Sequence, residues 1–357
     1  MVRRAPLILL LLAGCGGAAG SRSGGAGERV GQGVPAKVEP SRPSSTAAAV
    51  IRDEGKADPF HATSGPGDVP MPFVREERSS RLDVPLPKGR AKEAWRVPLG
   101  PPLREPCGDR EPCPPLKAAA VLAAGNRVAV IGLDGWALFD TSGHRIDAAK
   151  ADGASKRLDR ASGLVVSDEA RSADLPAEAK VAAKKGLVVM VHGGGIHVGE
   201  RAIEGRIEAL DVAIDDAGLA CVLVRQGEDL HLWTVPLASG GGIGRQRISQ
   251  GPRRVLGPPV LGKNLRVIVL DTSVIAFGAD GKRLWERRGV PTGGVTITSD
   301  DHVLIADNGK VLAVDPRGRT TELYFVPDAI FVTPPILDAR GVLFVASGRS
   351  LHAVSFF

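Results

Sequence analysis

His192 and His197 bracket a run of three glycines in Val-Val-Met-Val-His-Gly-Gly-Gly-Ile-His-Val-Gly, residues 188–199. A glycine run can turn several backbone N–H groups toward one oxyanion. That chemistry also needs a nucleophile on a strained Gly-x-Ser-x-Gly turn, and no serine after residue 195 has glycine two places away on both sides. The run therefore reads as a hairpin turn, Gly193-Gly194-Gly195, with the two imidazoles facing each other across adjoining strands. Two imidazoles fall short of the usual three or four metal ligands, and spacing supplies no third. The other five histidines are scattered and are expected in turns or at a rim. Asp215-Asp216 and Asp300-Asp301 sit between apolar runs, where an aspartate side chain bonds nearby backbone N–H groups and shapes a turn. No Asp-x-Asp-x-Asp-Gly calcium loop occurs. The basic pairs Lys184-Lys185, Arg253-Arg254 and Arg287-Arg288 also lie in or near turns. On a shared face they would attract anionic partners; apart, they are solvated turns. No catalytic set, cofactor site or metal site is assigned from these residues.

The elements that must carry these groups are short. Across 357 residues, Gly (45) and Pro (27) make up one residue in five, while aromatic residues are only 4% and apolar residues 43%. That mixture suits many short segments joined by turns and disfavours a long helical bundle. The net charge of +6 is small and dispersed, so nucleic-acid binding is not implied.

At the start, Arg3 and Arg4 precede the apolar run from Leu7 to Leu12, and Ala13, Gly14 and Cys15 follow. A basic start, a short apolar middle and small exit residues make a secretion signal, far shorter than the ~20 residues that cross a bilayer as a helix. Leu12-Ala13-Gly14-Cys15 resembles the lipobox of bacterial lipoproteins. The resemblance implies a diacylglycerol on the Cys15 thiol, cleavage before Cys15 and acylation of the new amino group. Several acyl chains hold a protein where one holds it only marginally. Residues 1–14 then form a signal peptide, whose loss takes away two arginines and lowers the charge from +6 to +4. Gly16, rather than Asp, after the lipid site points to the outer membrane, with periplasmic or surface exposure left open.

Residues 15–90 read as a flexible, largely disordered linker of small and polar residues, too poor in apolar surface to offset ordering entropy. As a coil this tether would span roughly 50 Å. The envelope is oxidising, so Cys107 and Cys113, in a proline-rich loop, are expected to form a disulfide, worth about 2 kcal/mol on the loop-entropy model. Cys221, in Leu-Ala-Cys-Val-Leu-Val, is expected to be a buried thiol.

From about residue 91 one unit recurs: apolar run, polar turn, apolar run. It appears at 120–132, 180–191, 212–224, 259–270, 295–306 and 335–346. Third runs begin at 136, 231, 274, 311 and 351, the last four spaced by 43, 37 and 40 residues. A period near 40 with about four strands is one propeller blade. Asp140, Gly278 and Asp315 each precede a glycine by three places, at Gly143, Gly281 and Gly318, where a turn needs positive φ. The stretches Ala276-Phe277-Gly278-Ala279-Asp280-Gly281-Lys282-Arg283-Leu284-Trp285 and Ala313-Val314-Asp315-Pro316-Arg317-Gly318 resemble the repeat of PQQ-like β-propellers. Trp285 sits at that repeat's tryptophan place; Glu322 occupies the equivalent place after Gly318.

The resemblance implies an all-β propeller over 91–357, with about seven four-stranded blades, or six if Arg157–Ser167 is an insertion rather than a seventh hairpin. The final unit offers three strands, and Glu93–Leu99 is a strand without a hairpin partner beside it. Their pairing would close the ring and supply Trp95 as the missing tryptophan. Quinoprotein dehydrogenases share the repeat but carry adjacent cysteines beside the quinone, and this chain has no Cys-Cys pair. The expected function is a non-enzymatic, lipid-anchored, monomeric scaffold that docks envelope proteins on its loop face. The alternatives are a small-ligand or glycan sensor, and a propeller hydrolase or lactonase with a metal in its channel.

Overall fold

The apolar runs become strands whose burial falls from the centre outward. In a computed structural model of the chain, residues 81–99, 118–132, 135–150, 156–158, 164–167, 179–184, 187–192, 195–199, 201–203, 207–238, 241–289 and 291–357 are described. They form six four-stranded antiparallel sheets and one two-stranded ribbon. The first blade contains β2 (Ala118–Ala124), β3 (Arg127–Gly132), β4 (Gly135–Asp140) and β5 (Arg145–Lys150). The second contains β8 (Lys180–Lys184), β9 (Leu187–His192), β10 (Gly195–Val198) and β11 (Arg201–Ile203). The third contains β12 (Glu208–Ile214), β13 (Leu219–Gln226), β14 (Asp229–Pro236) and β15 (Gly244–Ser249). The fourth contains β16 (Val260–Leu261), β17 (Leu265–Val269), β18 (Ser273–Gly278) and β19 (Arg283–Arg288). The fifth contains β20 (Gly294–Ile297), β21 (Val303–Asp307), β22 (Lys310–Val314) and β23 (Thr320–Phe325). The sixth contains β24 (Ile336–Leu337), β25 (Leu343–Ala346) and β26 (Ser350–Phe356), and its outer strand is β1 (Ala91–Pro98).

Between the first and second blades, β6 (Lys156–Leu158) pairs with β7 (Val165–Ser167). The hairpin read at 157–167 thus exists, but with three-residue strands. Among the described residues the complete blades number six, the lower of the two counts expected.

First strands line the centre: β12 packs on β8 and β16, β16 on β20, and β2 on β24. Inner strands are wholly buried, as in β18 and β25, whereas the outer strands β19 and β23 are mostly exposed. Leu230, Ile248, Ile268, Ile275 and Phe277 form one of the interfaces between neighbouring blades. The ring closes as expected: β1 pairs antiparallel with β26 from Ala91↔Phe356 to Pro98↔Ser350, with a bulge between Glu93 and Trp95.

Gly143, Gly281 and Gly318 adopt φ of +87°, +81° and +86°, as the turn spacing requires. Asp140 and Asp315 complete two of these turns; each Oδ1 accepts from the N–H groups two and four residues ahead. Those bonds, led by the one from four residues ahead, hold both carboxyls below their usual pKa.

The linker boundary at residue 90 needs correction. Residues 81–90 lie against the folded blades: Leu82 N–H donates to the Ile297 carbonyl at 2.7 Å, and Ser299 N–H to that of Val84 at 3.0 Å. Leu82 and Val84 are buried in the core that joins the first, fifth and sixth blades. Arg90 and Phe357 exchange both backbone hydrogen bonds.

Candidate functional site

A cluster of four polar side chains lies where the ring closes. Glu93 and Arg96 come from β1, Tyr324 from β23 and His352 from β26. Arg96 donates to Glu93 Oε2 from Nη2 at 2.8 Å and from Nε at 3.1 Å. Tyr324 O–H donates to the same oxygen, and His352 Nδ1 lies 3.1 Å from the Tyr324 oxygen. Phe331 packs edge-on against the imidazole at 5.3 Å. Burial alone would raise the Glu93 pKa, but the bonds from Tyr324 and Arg96 hold it below the usual value. Burial, helped by the Arg96 charge, pushes His352 down to about 4, and burial beside Glu93 raises Tyr324. A general acid or base works best with a pKa near ambient pH; here each group is moved away from it. The cluster is suited to clasping the seam. His352, only 1% exposed, corrects the expectation of a turn or rim position, because it occupies an inward position of a central strand.

The glycine-run histidines do not oppose each other. His192 pairs with Gly195, and His197 with Met190, because Gly195 belongs to β10 rather than to the turn. Among the described residues no group of three potential metal ligands is found. Cys15, Cys107 and Cys113 lie outside the described residues. Cys221 is buried, and burial pushes its thiol up to about 12.

Both acidic pairs lie in turns, as expected, and both also tie blades together. Asp301, at φ +62°, accepts from Lys263 N–H at 2.7 Å, Asn264 N–H at 3.0 Å and Asn264 Nδ2 at 3.0 Å, gripping the fourth blade's first turn. Asp215 is held by Leu219 N–H within its own turn at 2.9 Å, and Arg266 Nη2 reaches it from the fourth blade at 3.4 Å. Lys184 Nζ donates to the Asp215 carbonyl at 2.7 Å.

Two of the three basic pairs share one end of a blade. The turn between β17 and β18 is the meeting point. Arg253 Nη1 donates to Thr272 Oγ1, Asp271 N–H to the Arg254 carbonyl at 3.0 Å, and Gly289 N–H to the Thr272 carbonyl at 2.9 Å. Lys184, at a first-to-second-strand turn, lies at the opposite end. The same loop end as Thr272 carries exposed Leu256 and Phe325, and Ile330 at 58% exposure. Lys310 Nζ sits 5.0 Å above the Phe325 ring. Charged and apolar groups are thus interleaved over the fourth and fifth blades.

A second feature lies at the outer groove between the third and fourth blades: a cleft of about 330 Å³ whose lining includes Arg247, Ser249, Arg253, Arg283 and Glu286. In two other grooves an outer-strand tryptophan docks on a turn glycine of the next blade: Trp95 on Gly143 and Trp285 on Gly318. Here Gln246 takes that place, and its Nε2 donates to the Gly281 carbonyl. Sequence reasoning missed both Gln246 and the cleft, whose walls come from different blades.

Six four-stranded antiparallel sheets in a ring, closed by the first strand, define an all-β propeller. No protein-family model matches the chain, and no curated protein does. Solved structures with similar folds include virginiamycin B lyase from Staphylococcus aureus, at TM-score 0.48 and 9% identity over 75% of this chain and 100% of that one. The Pan2 WD40 domain of Neurospora crassa aligns at TM-score 0.47 and 9% identity, over 75% of this chain and 96% of that one. The extracellular domain of a hybrid two-component system from B. thetaiotaomicron aligns at TM-score 0.46 and 8% identity, over 74% and 40%. A shared fold does not specify activity; the propeller assignment rests on this chain's own sheets.

Proposed function

We propose that the protein is a non-enzymatic propeller of the bacterial cell envelope, anchored by lipid on Cys15, that docks partner proteins on the loop end of its fourth and fifth blades. The observation that carries this reading is the exposure of Leu256, Phe325 and Ile330 at the loop end that also carries Arg254 and Arg288. Exposed apolar residues and arginines at one end are the composition of a protein-docking surface. The resemblance of Leu12-Ala13-Gly14-Cys15 to a lipobox supports placement at a membrane.

A photo-crosslinker placed at Ile330 should give a discrete adduct in native membranes, and one placed at Lys282, at the opposite blade end, should not. Adducts from Lys282 alone would overturn the docking end. Mass spectrometry of the amino-terminal peptide should find an acylated Cys15, and Cys15→Ser should release the chain from membranes. An unmodified cysteine would overturn the anchor.

A further inference from the structure

We infer that the cleft between the third and fourth blades binds a small phosphomonoester. The cleft is lined by three arginines and one carboxylate, Glu286. Arg283 pairs with Glu286 on one strand and Arg247 with Asp229 at 3.5 Å, which leaves a formal surplus of one positive charge. Arg253 gives its Nη1 to a neutral hydroxyl, that of Thr272. The Ser249 Oγ is buried in the cleft wall without a hydrogen-bond partner among the described residues. Ile248 and Ile275 supply apolar wall.

Donor number and size select the ligand class. A phosphomonoester carries about −1.5 to −2 at neutral pH and presents three acceptor oxygens to the three guanidinium groups; a carboxylate presents two. Guanidinium forks match pairs of phosphoryl oxygens. The volume is roughly ten times that of one water in the liquid, so a phosphate with a small organic group fits better than the bare ion. The filling of the groove by Gln246 in place of tryptophan is consistent with a ligand-sized opening beside it. This inference is distinct from the docking reading: Arg253 belongs to the loop end, but Arg247, Arg283 and Glu286 lie on the outer strands β15 and β19.

The test is calorimetric titration of the full chain, in zwitterionic detergent, with glycerol 3-phosphate, dihexanoyl phosphatidic acid, and acetate at matched ionic strength. Both phosphate probes should bind saturably and acetate should not. Tenfold tighter binding of the lipid would assign a lipid headgroup as the source, and equal or weaker binding a free phosphomonoester. Arg247→Gln with Arg283→Gln should weaken binding by at least about tenfold. These side chains are 59% and 48% exposed, so the variant is expected to fold. Arg245→Gln, outside the cleft, should leave binding unchanged. Phosphate probes that behave like acetate, or an equal loss in Arg245→Gln, would overturn the assignment.

Discussion

The indole Nε1–H of Trp95 donates to the carbonyl of Thr141 at 2.8 Å, joining the outer strand of the sixth blade to a turn of the first. The ring also lies 5.9 Å from Phe344 and fills the space left by Gly143, where an added Cβ would come within 2.9 Å of it. One side chain thus welds the two ends of the ring, by packing and by a directed bond. Trp95→Ala should cost about 3 kcal/mol, and Trp95→Phe about 1 kcal/mol from the lost hydrogen bond. Urea unfolding measures both; equal stability of the alanine variant and the native chain would remove the weld.

The clasp at the same seam makes folding sensitive to acid. His352 titrates near 6.5 when unfolded but near 4 when folded, so across that window the unfolded chain takes up a proton that the folded chain refuses. The His352 contribution to stability should fall as pH drops from 6.5 toward 4, by on the order of 3 kcal/mol, and be fully lost below. Glu93 acts in the same sense. Its folded pKa is depressed, so its contribution is present above the ordinary carboxylate range and lost as pH falls through the folded value. Urea midpoints measured across this range should show the slope, and His352→Gln should flatten it. An unchanged slope would place the acid sensitivity elsewhere.

Asp301 separates backbone conformation from bonding. It holds three donors of the neighbouring blade while sitting at φ +62°. Asparagine tolerates that conformation and keeps an acceptor, so Asp301→Asn should cost about 1 kcal/mol. Asp301→Ala loses both and should cost about 3 kcal/mol. Thermal unfolding should rank Asn, then Gly, then Ala in falling stability; alanine equal to asparagine would show that the bonds between blades contribute little.

Much of the ring was legible because three strands of each blade are apolar runs, and because Gly143, Gly281 and Gly318 mark turns by spacing alone. The outer strands were less so. Gly-Arg-Gln-Arg-Ile-Ser in β15 and Thr-Thr-Glu-Leu-Tyr-Phe in β23 are half in solvent, and their polar residues blur the period of two. Leu82, Val84 and Leu86 do alternate, but Pro85 and Pro87 made that stretch look like linker. His352 could not be placed because its burial depends on Tyr324, from the preceding blade, and Phe331, from the connection between the blades. The arginine cleft draws on residues 247–253, 270–275 and 283–286, which only blade packing brings together.

Cys221 should be chemically silent while the fold is intact. Burial holds its thiol near 12, so almost no thiolate exists at neutral pH. Iodoacetamide followed by mass spectrometry should leave it unmodified in the native chain and label it in urea. Rapid native labelling would mean that β13 opens far more readily than a central strand should.

The closed ring depends above all on the pairing of β1 with β26, which places Lys92 opposite Ser355. Replacing both by cysteine, Lys92→Cys with Ser355→Cys, and oxidising the folded chain should give a near-quantitative intramolecular disulfide, found by mass spectrometry as a single linked peptide pair. The cross-link spans most of the propeller sequence, so it should raise the unfolding free energy by up to about 5 kcal/mol. Two free thiols after oxidation, or links only between separate molecules, would contradict a ring closed by its own first strand.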